Sequence, residues 1–215
     1  MGIYEKGDIL KMAEQGRVFT IGYTAFDQEQ MIKTLKKYNI HCLVDVRTVP
    51  ASARLPQYSR PVLEAVLKKA GIRYRHYPEF GARQEDSKWY NAEGYLDFER
   101  YMESEAFQSG IHKVQEGMRL GYRFTLMCAE KDPINCHRAI MVARGFSKAG
   151  NDIAHICVDS MGKDYLESQQ ELERRLMLKH GDNLDQMSLL ETMDERIERA
   201  YRKQNEAIGY RMEDN

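Results

Sequence analysis

Short apolar runs alternate with longer amphipathic stretches along this chain. Val18–Thr24 (V-F-T-I-G-Y-T), Cys42–Arg47 (C-L-V-D-V-R), Ile72–Tyr77 (I-R-Y-R-H-Y), the run opening at Phe124 (F-T-L-M-C) and Asp152–Val158 (D-I-A-H-I-C-V) have the length and composition of strands. Between them apolar residues recur at helical spacing. Met31, Ile32, Leu35 and Tyr38 follow a capping Asp27, and Val62, Leu63, Val66, Leu67 and Ala70 lie between Pro61 and Gly71. Tyr95, Phe98 and Met102 predict a further helix. Phe107, Ile111, Val114 and Met118 predict the next, closed by Gly117 and Gly121. Strands alternating with helices predict an α/β fold, a mainly parallel sheet of about five strands with helices on both faces. The short continuous run 42–44 suits a strand covered on both sides. Asp45 and Arg47 point to one side of their strand. Ile72, Tyr74 and His76 share one face of theirs, and Arg73, Arg75 and Tyr77 the other.

Beyond the last of these strands the pattern turns helical. Tyr165, Leu172, Leu176 and Met177 predict one amphipathic helix, and Leu190, Met193, Ile197 and Tyr201 another; the last dozen residues carry no pattern. The expected division is an α/β domain over 1–160 and a C-terminal helical extension over 161–215. The extension packs either on that domain or on a partner chain, the second option making a homo-oligomer.

Composition changes the picture in three places. No run of 18 apolar residues exists, so no membrane span is expected, and Met1–Lys11 has no apolar core of signal-peptide length. Lys6 stands where N-myristoylation favours Ser or Thr. A cytoplasmic chain with reduced cysteines is the expectation, and Cys42 and Cys157, in apolar runs, read as core residues. The net charge of −1 conceals a local bias. Residues 47–83 carry Arg47, Arg54, Arg60, Lys68, Lys69, Arg73, Arg75 and Arg83 against Glu64 and Glu79 alone, which suggests an anion site.

The candidate chemistry concentrates in Phe124–Arg144, F-T-L-M-C-A-E-K-D-P-I-N-C-H-R-A-I-M-V-A-R. A strand ends in Cys128, a polar loop carries Glu130, and Asn135 is expected to cap a helix whose first turn holds Cys136, His137 and Arg138. Helix N-termini favour anions and lower thiol pKa values. Ligands of open parallel sheets bind beyond the carboxyl ends of the strands. Gly22, Tyr23 and Thr24, Asp45 and Arg47, His76, Gly81 and Arg83, Cys128 and Glu130, and Asp159 are all expected at that rim. Arg47, Arg54 and Arg138 are the candidate holders of a phosphate-bearing ligand, a nucleotide or nucleic acid.

Three chemistries fit the cluster. Glu130 and Asp45, with His76, can serve as acid and base in hydrolysis. Cys128 or Cys136 can serve as a thiolate nucleophile with His137 or His76 as base. Cys128, Cys136 and His137 can ligate a metal, although adjacent Cys136 and His137 are not expected to face one ion from a helix. The plainer readings are that Arg138 pairs with Glu130 or Asp45 to stiffen the rim, that Cys128 is a small packed residue, and that His76 is a hydrogen-bonded structural histidine. A non-enzymatic nucleic-acid binder using residues 47–83 is the alternative class. The residues name no cofactor.

T-I-G-Y-T at 20–24, L-V-D-V-R-T-V-P at 43–50, Y-R-H-Y-P-E-F-G-A-R at 74–83 and L-M-C-A-E-K-D-P-I-N-C-H-R at 126–138 resemble, in order and spacing, the domain-of-unknown-function family numbered 488. The resemblance implies an α/β domain with a shared rim site and implies no reaction. Its signature residues fall on Gly22, Asp45, Arg47, Pro50, Ser52, His76, Gly81, Cys128, Glu130, Cys136, His137 and Arg138. The chain departs from the pattern at Pro50-Ala-Ser-Ala-Arg54, where the arginine comes one place late, and at Ala82, where many members carry glycine.

Overall fold

The apolar runs do form a sheet, and it has six strands. The computed structural model describes residues 16–182, 184 and 191–212. Strands β1 (Arg17–Gly22), β2 (Cys42–Asp45), β3 (Arg73–His76), β4 (Phe124–Cys128), β5 (Asp152–Val158) and β6 (Asp164–Ser168) lie in the order β3-β2-β4-β1-β5-β6. The first five are parallel, and β6 returns antiparallel to β5. Helices α1 (Gln28–Lys37) and α2 (Arg60–Lys69) cover one face. Met31, Leu35, Leu63 and Leu67 pack there on Phe19, Ile21, Leu43 and Tyr74. The other face carries α3 (Phe98–Met102), α4 (Glu105–Arg119), a helical segment over 138–148, α6 (Gln169–Lys179) and α7 (Met193–Ile208). That segment is a π-helical turn, Arg138–Ala143, continued by α5 (Arg144–Lys148).

Several boundaries depart from the periodicity. Tyr165 belongs to a strand, not to the following helix. Asp159 Oδ1 accepts from the backbone N–H groups of Met161 and Lys163, and Gly162 takes φ +78°, which closes a hairpin. Ser168 then caps α6 reciprocally with Glu171. Asp159 thus follows the carboxyl end of β5, and its Oδ1 is spent on its own turn. Gly117 does not end α4: a Cβ there would lie 2.5 Å from the Phe124 ring, so glycine lets β4 approach the helix, and Gly121 at φ +86° makes the stop. Tyr95 lies outside α3 and bridges to Arg211, so part of the patternless tail is paired. Leu190, residues 213–215 and the N-terminal stretch read for a leader lie outside the described residues. No described helix is long and apolar enough to cross a membrane.

The C-terminal helices share the main core. Leu172, Leu176, Met177, Ala200 and Tyr201 are buried with β4 and the π-helical turn. A buried polar line ties them to the sheet. Thr20 Oγ1 lies 2.9 Å from His155 Nδ1, and His155 Nε2 donates to Gln169 Oε1 at 3.1 Å. Gln169 Nε2 donates to the Tyr201 hydroxyl, which donates to Glu173. Asn205 of α7 binds both Phe98 N and Leu96 O. Each of these polar groups is satisfied, which burial in a low-dielectric core requires.

Burial, with the nearby Arg138 charge, lowers the pKa of His155 to about 3 from 6.5. The ring is neutral in the fold and gains a proton on unfolding below about pH 6.5. Stability present above that pH is therefore lost as pH falls toward the folded value. Urea unfolding between about pH 6.5 and 4.5 is expected to show a slope approaching about 1.4 kcal/mol per pH unit from this group. His155→Gln is expected to flatten it; an unchanged slope in the variant assigns the effect to other groups.

Candidate functional site

Chain connectivity marks one crevice at the carboxyl edge. After β1 the chain leaves over the α1 face to reach β2; after β4 it leaves over the opposite face to reach β5. Divergence of this kind opens a cleft between the two strands, here between Gly22 and Cys128, which are register partners. This chain fills it. Thr24 donates to the Ala129 carbonyl through both N (3.1 Å) and Oγ1 (2.7 Å). A Cβ on Gly22 would sit 1.9 Å from the Glu130 carbonyl oxygen and 3.0 Å from Arg138 Nη2. The chemistry is displaced toward the neighbouring crevice, between β4 and β2.

Arg138 holds the loop down. It is fully buried and donates through Nη1 to the Glu130 carbonyl (2.6 Å) and through Nη2 to that of Lys131 (3.3 Å). Its Nε has no hydrogen-bond partner, and Arg138 makes no carboxylate pair among the described residues. The bracing partner is thus the backbone of Glu130, not its carboxylate or Asp45.

The loop places Asn135 differently from its expected role. Asp132 caps a short 3-10 turn, Pro133–Asn135, and Asn135 instead accepts from Lys179. Cys136 is extended (φ −137°, ψ 134°), and its carbonyl accepts from Ala139 and Ile140, so Cys136 is itself the cap of the helical segment. Because Cys136 lies outside the helix and His137 opens it, their side chains need not diverge by a helical step. Cys128 Sγ, Cys136 Sγ and a His137 ring nitrogen lie within 4.8 Å of one another. Cys128 Sγ is 3.8 Å from His137 Nδ1, and Cys136 Sγ is 2.8 Å from Glu130 Oε2. His137 Nε2 donates to the Val46 carbonyl (3.0 Å), which leaves Nδ1 facing the thiols.

These groups perturb one another. Burial pushes Cys136 up, but the Cys128 hydrogen bond, the Arg138 charge and His137 more than offset it and carry the thiol well below its usual range. Cys128 moves up through its hydrogen bond to Cys136 and through burial. Burial raises Glu130, and the Cys136 charge raises it further. Burial would lower His137, but contact with Cys136 raises it. The Arg138 and His137 charges thus favour the ionised form at Cys136 over Cys128.

Asp45 and Arg47 form a separate unit. Asp45 is fully buried, and its Oδ1 accepts from Arg47 N (3.1 Å) and Nε (2.9 Å). Its Oδ2 accepts from Arg47 Nη2 (2.6 Å) and the Tyr74 hydroxyl (2.7 Å). Burial lowers the Arg47 pKa, and the hydrogen bond and charge of Asp45 more than restore it. Arg47 also reaches the Tyr58 carbonyl and lies over the ring of Tyr23, which stacks on Tyr58. His76 Nε2 donates to the Arg47 carbonyl at 2.8 Å. Gly81 lets its loop approach Thr48, whose Oγ1 also accepts from Arg83 N. Arg54 is exposed, and Arg83, also exposed, lies over the Tyr210 ring.

The structure thus brings Cys128, Glu130, Cys136 and His137 together over Arg138 and Gly22. It gathers Asp45, Arg47, His76 and Tyr23 into a neighbouring brace and leaves Arg54 and Arg83 outside both. Sequence reasoning missed Thr48, and it missed the place of Tyr58 and Tyr74 in this brace. Only Tyr74 had a signal, since it shares a strand face with His76, the register partner of Asp45.

Gly22→Ala is expected to force the Glu130 loop outward and to cost about 1–3 kcal/mol, as overpacking does. Urea denaturation reads the loss. A variant of wild-type stability would mean that the loop does not depend on this contact.

No curated protein and no solved structure matches the chain. The family model described as Domain of unknown function DUF488 matches residues 27–144. That span contains the Asp45–Arg47 brace and the whole thiol cluster, and it is more than half of the sequence. The chain belongs to the domain-of-unknown-function family 488.

Proposed function

We propose that the chain is a metal-dependent hydrolase, in which Cys128, Cys136 and His137 hold a soft divalent cation such as zinc at the carboxyl rim. The observation that carries the reading is the convergence of two thiols and one imidazole within 4.8 Å on a buried frame. Two thiols and an imidazole make a donor set suited to zinc. The orientation of His137 supports it as well. A ligating histidine commonly donates its other ring N–H to a backbone carbonyl, and His137 does so to Val46. The Glu130 carboxylate, beside Cys136, is available as a fourth donor or as the base for an attacking water. A bound zinc supplies Lewis-acid polarisation and an acidified water.

Two features of the rim bear on the phosphate-bearing ligand expected from the sequence. Arg47 and Arg138 are spent on internal acceptors, so of the arginines expected to hold it exposed Arg54 and Arg83 are left. Direct attack by a Cys136 thiolate is disfavoured, because Cys136 is 1% exposed and Cys128 4%.

Protein purified without chelator is expected to carry near-stoichiometric zinc or iron, and Cys128→Ser and Cys136→Ser to lose most of it. Cobalt uptake is expected to give thiolate-to-metal absorption that both variants weaken. A wild-type chain that takes up neither zinc nor cobalt would sink the proposal and return the cluster to thiolate and carboxylate chemistry.

A further inference from the structure

We infer that the outer edge of the sheet, β3 with its adjoining rim, is a docking surface for single-stranded nucleic acid. This surface is separate from the thiol cluster, and the inference does not depend on the metal reading. β3 is the terminal strand of the sheet. Arg73 and Arg75 alternate along it and are both exposed. They are register partners of Cys42 and Val44, so they project to the α4 side of the sheet, and the half-buried Tyr77 continues the same side beyond the strand.

The charge there is uncompensated. Among the described residues no ion pair uses Arg54, Arg73, Arg75 or Arg83, whereas the two acids of the segment are both taken, Glu64 by Arg60 and Glu79 by Lys113. Exposed arginines without carboxylate partners are the electrostatic footprint of a polyanion site. The arginines are also supported from one side. Arg73 lies 4.7 Å over the Tyr122 ring, Arg83 lies 5.1 Å over that of Tyr210, and Arg75 Nη1 is held by the Tyr74 carbonyl at 3.0 Å. Supported guanidinium planes and tyrosine faces suit bases as well as phosphates, which favours a nucleic acid over an acidic peptide. Alternate strand positions stand about 6.6 Å apart, on the scale of successive phosphates in a single strand. A peptide adding itself as a seventh strand would have to displace Arg75 from a backbone acceptor of β3.

The competing explanation is that the arginines merely guard an edge strand against aggregation. The two ideas separate on the sign of the charge, since glutamates guard an edge as well as arginines do. The test is fluorescence anisotropy with a labelled 20-nucleotide oligo-U at about 50 mM salt, repeated at rising salt. The wild-type chain is expected to bind with steep salt dependence. Arg73→Glu/Arg75→Glu is expected to bind more than tenfold more weakly at unchanged circular dichroism and melting temperature. Arg73→Gln/Arg75→Gln removes the charge without reversing it and is expected to bind several-fold more weakly at unchanged melting temperature, so it stands in should the glutamate variant fail to fold, and wild-type affinity in it would equally overturn the inference. Binding should persist in chelator-treated protein, which separates this result from the metal measurement. Absence of wild-type binding, equal binding by the glutamate variant, or equal competition by poly-glutamate would overturn the inference; the last would point to an acidic protein partner.

Discussion

A single buried guanidinium decides where this molecule can carry chemistry. Arg138 clamps two consecutive carbonyls of the loop after β4, and Gly22 gives that loop the room to lie on β1. The contact seals the crevice that the strand order would otherwise leave open. It also turns the Glu130 side chain back toward Cys136. A buried cation with no carboxylate partner in the described structure is costly unless negative charge lies near it. The guanidinium in turn lowers the pKa of the neighbouring Cys136 thiol and favours negative charge there. Loop closure, carboxylate placement and thiolate stabilisation are therefore three results of one side chain.

Around this centre the fold uses two kinds of buried polar network. Asp45, Arg47, Tyr74 and His76 tie the ends of β2 and β3 to the loop that follows β2, with both Asp45 oxygens fully engaged. His155, Gln169, Tyr201 and Glu173 run from the middle of the sheet into α6 and α7. The first network makes the rim rigid beside the thiols. The second makes the C-terminal helices part of the same core. Both carry polar groups at full hydrogen-bond satisfaction, so losing one member leaves its neighbour's polar group unpaired and buried.

The parts legible in the sequence were those with strong local periodicity. Five strands, the cap at Asp27, the first-turn Pro61, and the stops at Gly71 and Gly121 follow from spacing and from residues with one conformational use. The sixth strand was not legible, because Tyr165 and Leu166 are exposed and the hairpin depends on the Asp159 side chain binding its own turn. At the site, motif density marked the correct stretch, and the pleat placed Asp45 with Arg47. The convergence of Cys136 and His137 was not visible. It depends on Cys136 being extended while His137 opens a helix, a break that Asn135 as an expected cap concealed. The internal spending of Arg47 and Arg138 was equally hidden, since a sequence displays charges and not what they face.

The π-helical turn over Arg138–Ala143 bears on how such a site can change. Each residue of an α-helix advances its side chains by about 100°, and a π-turn holds one residue more than an α-turn. The segment therefore carries a phase offset between its two ends. Before the offset stand Cys136, His137 and Arg138; after it stand Gly145 and Phe146, which fit against Phe107 and Phe80. Loss of one residue between them would let the helix run on in ordinary register. The core would keep its fit while Cys136 and His137 turned away from Cys128. The site and the core are thus indexed separately on one continuous piece of chain, and a length change of one residue switches one without disturbing the other.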